Sequence, residues 1–151
     1  MARKTIQLET YRDSVAVYPP SRALWRKWLA QHHDKEPCAW LIIYHKGHAL
    51  YSVGYEAAVE EALCFGWIDS LSHKRDADSS YLYFTRRKAK GNWSKPNKER
   101  VARMTAQGLM TPAGQAFIDL AKATGTWEAL DAVDNELIPD DLQAAFSKHK
   151  T

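Results

Sequence analysis

Cysteine is scarce in this chain: Cys38 and Cys64 are the two in 151 residues, and they do not form a CxxC pair. That excludes the cysteine-rich zinc motifs and argues for free thiols over a disulfide. No apolar run reaches the roughly eighteen residues that a membrane helix needs. The opening MARKTIQLETYRD carries positive charge without a following apolar core. A secretory signal is therefore not expected, and the default location is cytoplasmic. There is no phosphate-binding glycine loop, no GxSxG elbow, no internal repeat and no low-complexity tract, which excludes the commonest nucleotide-binding, serine-hydrolase and solenoid signatures.

The composition that remains, 45% hydrophobic and 26% charged, is that of a globular domain of ordinary size. Charge is unevenly spread. Between Arg86 and Arg103 eight basic residues stand against Glu99 alone, whereas Glu128, Asp131, Asp134, Glu136, Asp140 and Asp141 face no basic residue. Neutralisation of one segment by the other competes with partner binding as the reason for this pattern.

Periodicity gives the elements. Residues 6–17 read as a strand with a turn before Pro19-Pro20, and Ser21 as the N-cap of a helix with Leu24/Trp28 and Trp25/Leu29 as its stripe. Residues 39–44 (AWLIIY) read as a strand buried on both faces, and 49–53 as a short partner strand. A helix over 54–64 places Ala58, Val59, Ala62 and Leu63 on one face and Glu56, Glu60 and Glu61 mostly on the other. Gly66 stops it in the left-handed conformation. Strands follow at 67–72 and 81–86, around a polar loop 73–80. A helix opens at Ser94 or Pro96, turns Val101 and Met104 inward and ends at Gly108; another opens at Thr111-Pro112 with Ala116, Phe117, Leu120 and Ala121 as its buried face. The expected fold is α+β, a small, mainly antiparallel sheet with helices packed on it and a helical C-terminal third. Residues 1–127 form the domain, and 128–151 an acidic linker and the start of a last helix.

Few residues invite chemistry. Cys64, at a helix C-terminus beside Leu63 and Phe65, suits packing better than nucleophilic attack. His45, His48 and His73 lack metal-ligand spacing, and His32-His33 suits a helix end. No metal or cofactor is expected. Asp69, just past the helix-to-strand corner EALCFGWIDS, could bond a backbone amide, meet Arg86 or Arg87, or join a ligand site. The segment TRRKAKGNWSKPN is the main candidate. Arg86, Arg87 and Lys95 would attract phosphates, an exposed Trp93 would stack on a base, and Ser94 and Asn97 open a helix whose amides would hold an anion. Against this stands a solvated basic loop with Trp93 in the core.

YEAAVEEALCFGWIDS, YFTRRKAKGNWSKPNKERVARMTAQGLMTPAG and AKATGTW, in that order, resemble the bacterial YdeI/OmpD-associated, bacteriocin-protection family from about Trp25 to Phe146. The corner is also similar to that of YdhG-like domains, whose fold is α+β. The resemblance implies a role in tolerance of bacteriocins or cationic antimicrobial peptides and brings no catalytic residue with it. It also implies a longer C-terminal helical module, of which only the start is expected here.

The expected function is thus non-enzymatic binding of an anionic ligand or nucleic acid through the basic, aromatic segment. The alternatives are a small enzyme with a pocket near Asp69, Arg86, Trp93 and Asn97, or an interaction module whose Leu142 and Phe146 meet a partner or a second copy.

Overall fold

The computed structural model describes residues 5–89 and 91–128; Leu142, Phe146 and most of the acidic linker lie outside them. Strands β1 (Gln7–Tyr11) and β2 (Ser14–Tyr18) form a hairpin, followed by helix α1 (Arg22–His32), strand β3 (Cys38–Tyr44) and helix α2 (Tyr55–Leu63). Strands β4 (Trp67–Lys74) and β5 (Ser79–Arg86) come next, then helices α3 (Lys95–Ala106) and α4 (Pro112–Thr124). The sheet order is β1-β2-β3-β5-β4. Only the β2–β3 pair is parallel; the other three are antiparallel, so the fold is α+β with a mainly antiparallel sheet.

Local chemistry explains the boundaries. The single strand expected over residues 6–17 is instead a hairpin that turns at Arg12 and Asp13, both at positive φ (50° and 63°), as a two-residue hairpin of this twist requires. The Ser21, Ser94 and Thr111 hydroxyls each accept from a backbone N–H in the first turn of their helices. Gly66 and Gly125 end α2 and α4 at φ 78° and 83°. Residues 49–53 do not form the expected strand. The Tyr51 N–H donates to His48 O and the Ser52 hydroxyl to Pro19 O, so the segment is a looped bridge to α2.

Alternation sorts side chains between two faces of the sheet. Val17, Ala39, Leu41, Leu82, Phe84 and Trp67 join the helices in the main core, with Trp25, Leu29, Val59, Leu63, Met104 and Ile118. Ala16, Tyr18, Trp40, Ile42 and Tyr81 form a second cluster on the opposite face, joined by Tyr11, Tyr44, Leu50 and Tyr83. On α4 the buried residues are Gly114, Ile118 and Ala121, while Ala116 and Leu120 are exposed. The expected stripe was offset because Gly114, with no side chain, allows the start of α4 to lie against the end of α2.

Candidate functional site

Three motifs singled out in the sequence meet at one corner. Cys64 O, the last carbonyl region of α2, accepts from the Thr111 N–H (3.2 Å) and from its hydroxyl. Gly66 O accepts from the Arg87 N–H at 2.8 Å. A Cβ on Gly66 would stand 2.5 Å from Phe117 Cδ2, and one on Gly114 2.7 Å from Leu63 O. CFGW, TRRK and TPAG are therefore held to one another by close backbone approach. Cys64 is fully buried, its Sγ donates to Glu60 O, and burial pushes the thiol up to about 11. It is a packing residue, not a nucleophile.

Four cations of the basic segment are engaged inside the molecule. The Arg86 guanidinium donates to His33 O and Glu36 O. Arg100 pairs with Glu56 at 2.7 Å, and Arg103 with Glu56 at 2.8 Å and Glu60 at 3.1 Å. Lys98 Nζ donates to Trp127 O. The partners of Arg100 and Arg103 are thus the carboxylates of α2. Glu60 and Glu61, expected mostly on the polar face, are buried at 8% and 2% exposure. Glu61 takes Arg22 at 2.5 Å and Arg26 at 2.9 Å, and Glu60 takes Arg22 at 3.1 Å. Arginines of α1 and α3 so clamp α2 from both sides.

Trp93 is 2% exposed and packs on Trp127 with ring centroids 5.0 Å apart. Of the two expected placements it takes the core one, so its ring is not an exposed platform for a base. The amides at the start of α3 are also mostly spent. Ser94 Oγ holds the Asn97 N–H, Pro96 has none, and the buried Asn97 gives its side-chain oxygen to Arg100 at 2.7 Å.

Arg87 is different. It is 8% exposed, its Cζ lies 3.6 Å from the centroid of the Trp93 ring, and Nη2 donates to Asn92 O at 2.9 Å. Its Nε is buried with no hydrogen-bond partner, and among the described residues no carboxylate pairs with it. Burial lowers its pKa to about 10, which still leaves it charged at neutral pH. Lys88 and Lys95, which follow it in sequence, are exposed.

A family model described as a domain of unknown function, DUF8412, matches residues 17–117. The chain belongs to this family. No curated protein and no solved structure matches it. The DUF8412 span runs from β2 into α4 and takes in the three-motif corner, the arginine clamp and Arg87.

Asp69 meets neither Arg86 nor Arg87. Its Oδ2 accepts from the Tyr55 hydroxyl at 2.8 Å, across from the first turn of α2. Burial, then Asp69, pushes Tyr55 up to about 12, so the phenol keeps its proton. Arg100 lies 5.7 Å from the Tyr55 ring centroid, linking Asp69 through Tyr55 to Asn97. Tyr55 escaped sequence reasoning because a tyrosine opening a helix carries no distinguishing pattern. The clamp did leave a signal: Arg22/Arg26 and Glu56/Glu60 at i, i+4 and Arg100/Arg103 at i, i+3 put like charges on single helix faces. Among the described residues no group of three or more His, Cys, Asp and Glu could hold a metal, and no helix is long and apolar enough to cross a membrane.

Proposed function

We propose that this DUF8412 protein is a non-enzymatic binding module for a small anionic ligand, taken where Arg87 leaves β5 ahead of the exposed Lys88 and Lys95. Arg87 itself carries the reading: a buried guanidinium with an unpartnered Nε and no carboxylate among the described residues. Burying an unpaired charge costs several kcal/mol, so a site of this kind is completed by an anion. Trp93 covers one face of the guanidinium and Asn92 O takes one N–H, leaving the others for a phosphate or carboxylate. Burial of Trp93 and pairing of Arg100 and Arg103 favour a small anion over a nucleic-acid strand.

Thermal unfolding in sodium phosphate against sodium chloride of equal ionic strength tests this. Phosphate at roughly tenfold over its Kd should raise the Tm of the native chain by about 4 °C. Arg87→Met should show no phosphate response and lose no more than about 1 kcal/mol, since it replaces an unpaired buried charge by an apolar group. Equal phosphate responses in the two proteins would sink the reading. The resemblance to the YdeI/OmpD-associated family adds a role in tolerance of cationic antimicrobial peptides. Sensitivity of a deletion strain, rescued by the native gene and not by Arg87→Met, checks that role.

A further inference from the structure

A second site, separate from Arg87, lies on the helix-covered side of the β4 edge. A cleft of about 450 Å³ is lined by Tyr55, Asp69, Ser70, Leu71, Ser72 and Leu82. Its composition is specific in sign: one carboxylate, two leucines, two serines and a phenol, with no lysine or arginine in the wall. The pairing register of β4 shifts between Asp69 and Leu71, the local irregularity by which an edge strand re-aims its side chains. Asp69 and Ser72 pair with Phe84 and Leu82 on the helical side, where the 41% exposed Tyr55 opens phenol surface beside the carboxylate; Leu71, 51% exposed and opposite Tyr83, adds an apolar rim at the sheet edge.

We propose that this cleft binds a small molecule carrying a protonated amine on an apolar body. Asp69 Oδ2 is held by the Tyr55 hydroxyl, which fixes the carboxylate against the first turn of α2. Among the described residues nothing hydrogen-bonds Oδ1 and no cation forms an ion pair with Asp69. The nearby Arg100 is already committed to Glu56 at 2.7 and 2.9 Å and to Asn97 at 2.7 Å. A free carboxylate oxygen beside exposed phenol surface, with a leucine rim at the sheet edge, matches an ammonium group with a hydrocarbon tail. It repels an anion of the same size and gives a neutral alcohol one hydrogen bond without the charge. Ser70 and Ser72 supply hydroxyls that can accept further ammonium N–H groups.

Amide chemical-shift titrations with phenethylamine, 2-phenylethanol and 3-phenylpropionate test this on the full chain. Phenethylamine should give saturable shifts in the amides of residues 69–72 with a Kd on the order of 1 mM, and the alcohol should bind at least about tenfold more weakly. Asp69→Asn keeps an acceptor for Tyr55, so it should keep the native Tm while losing about tenfold in amine affinity. Tyr55→Phe should retain amine selectivity, because it removes the brace and not the charge. Equal binding of the amine and the alcohol, no saturable shift with the amine, or unchanged amine binding by a folded Asp69→Asn protein would each overturn the proposal.

Discussion

Gly66, just past the end of α2, faces α4, and Gly114 of α4 faces the end of α2. At Gly66 two penalties combine: a φ of 78°, which side chains rarely adopt, and the ring of Phe117 where a Cβ would stand. Gly66→Ala should cost about 2–4 kcal/mol in urea unfolding. Adding Phe117→Leu should recover the steric part and leave the conformational part. Gly114 faces backbone carbonyls instead, so Gly114→Ala has no flexible neighbour to yield and the same change at Phe117 should bring no relief. The helix-stopping role of Gly66 was legible from its place after an apolar helical run. Its contact with Phe117 was not, because it joins residues 51 positions apart through docking of α4. Asp69 followed the same division: its place at the corner could be read, whereas its partner Tyr55 could not.

Among the elements, α2 bears the heaviest ionic load. Glu61 is 3% exposed at its side chain and faces two partly exposed arginines, of which Arg22 keeps Glu60, so Glu61→Gln weakens two charge-assisted hydrogen bonds and should cost about 1–3 kcal/mol. Glu56 is 55% exposed, and Glu56→Gln should cost less than about 1 kcal/mol. The Arg100 hydrogen bond, with Arg103 behind it, holds the Glu56 carboxyl below its ordinary 4.5. A carboxylate lowered in the folded state contributes stability that is present above that ordinary value and is lost as pH falls through the folded value. Unfolding midpoints measured from neutral pH downward should therefore fall below about pH 4.5, less steeply in Glu56→Gln. The helix itself was plain in the sequence. The burial of Glu60 and Glu61 was missed because a carboxylate is normally placed in water, and only arginines from two other helices make the core tolerable for it.

Over the whole molecule, four cations of the eight-cation segment that suggested a nucleic-acid surface, Arg86, Lys98, Arg100 and Arg103, serve as internal fastenings. Among the described cations, Arg87, Lys88 and Lys95 are left to meet phosphates. Any single-stranded oligonucleotide binding should fall with salt no more steeply than a log–log slope of about −3, measurable by anisotropy. A steeper slope would mean that more of the segment is available than its contacts allow. The α+β class, the caps and most strands were legible, since they follow from local periodicity and chain punctuation. The parallel β2–β3 pair and the loop at 49–53 were not, because pairing partners and loop anchors such as Pro19 are set by the tertiary arrangement. The two-sided sheet has one more consequence. Trp25, Trp28, Trp67, Trp93 and Trp127 sit on its helical side, whereas Tyr11, Tyr18, Tyr44, Tyr81 and Tyr83 gather around Trp40 on the other. With Trp40 and Tyr55 replaced by phenylalanine, indole fluorescence would report the helical side and tyrosine absorbance chiefly the opposite side of one sheet. Coincident transitions in urea would mark a single cooperative unit, and a tyrosine signal that outlasts the indole signal would reveal a sheet able to survive the loss of its helices.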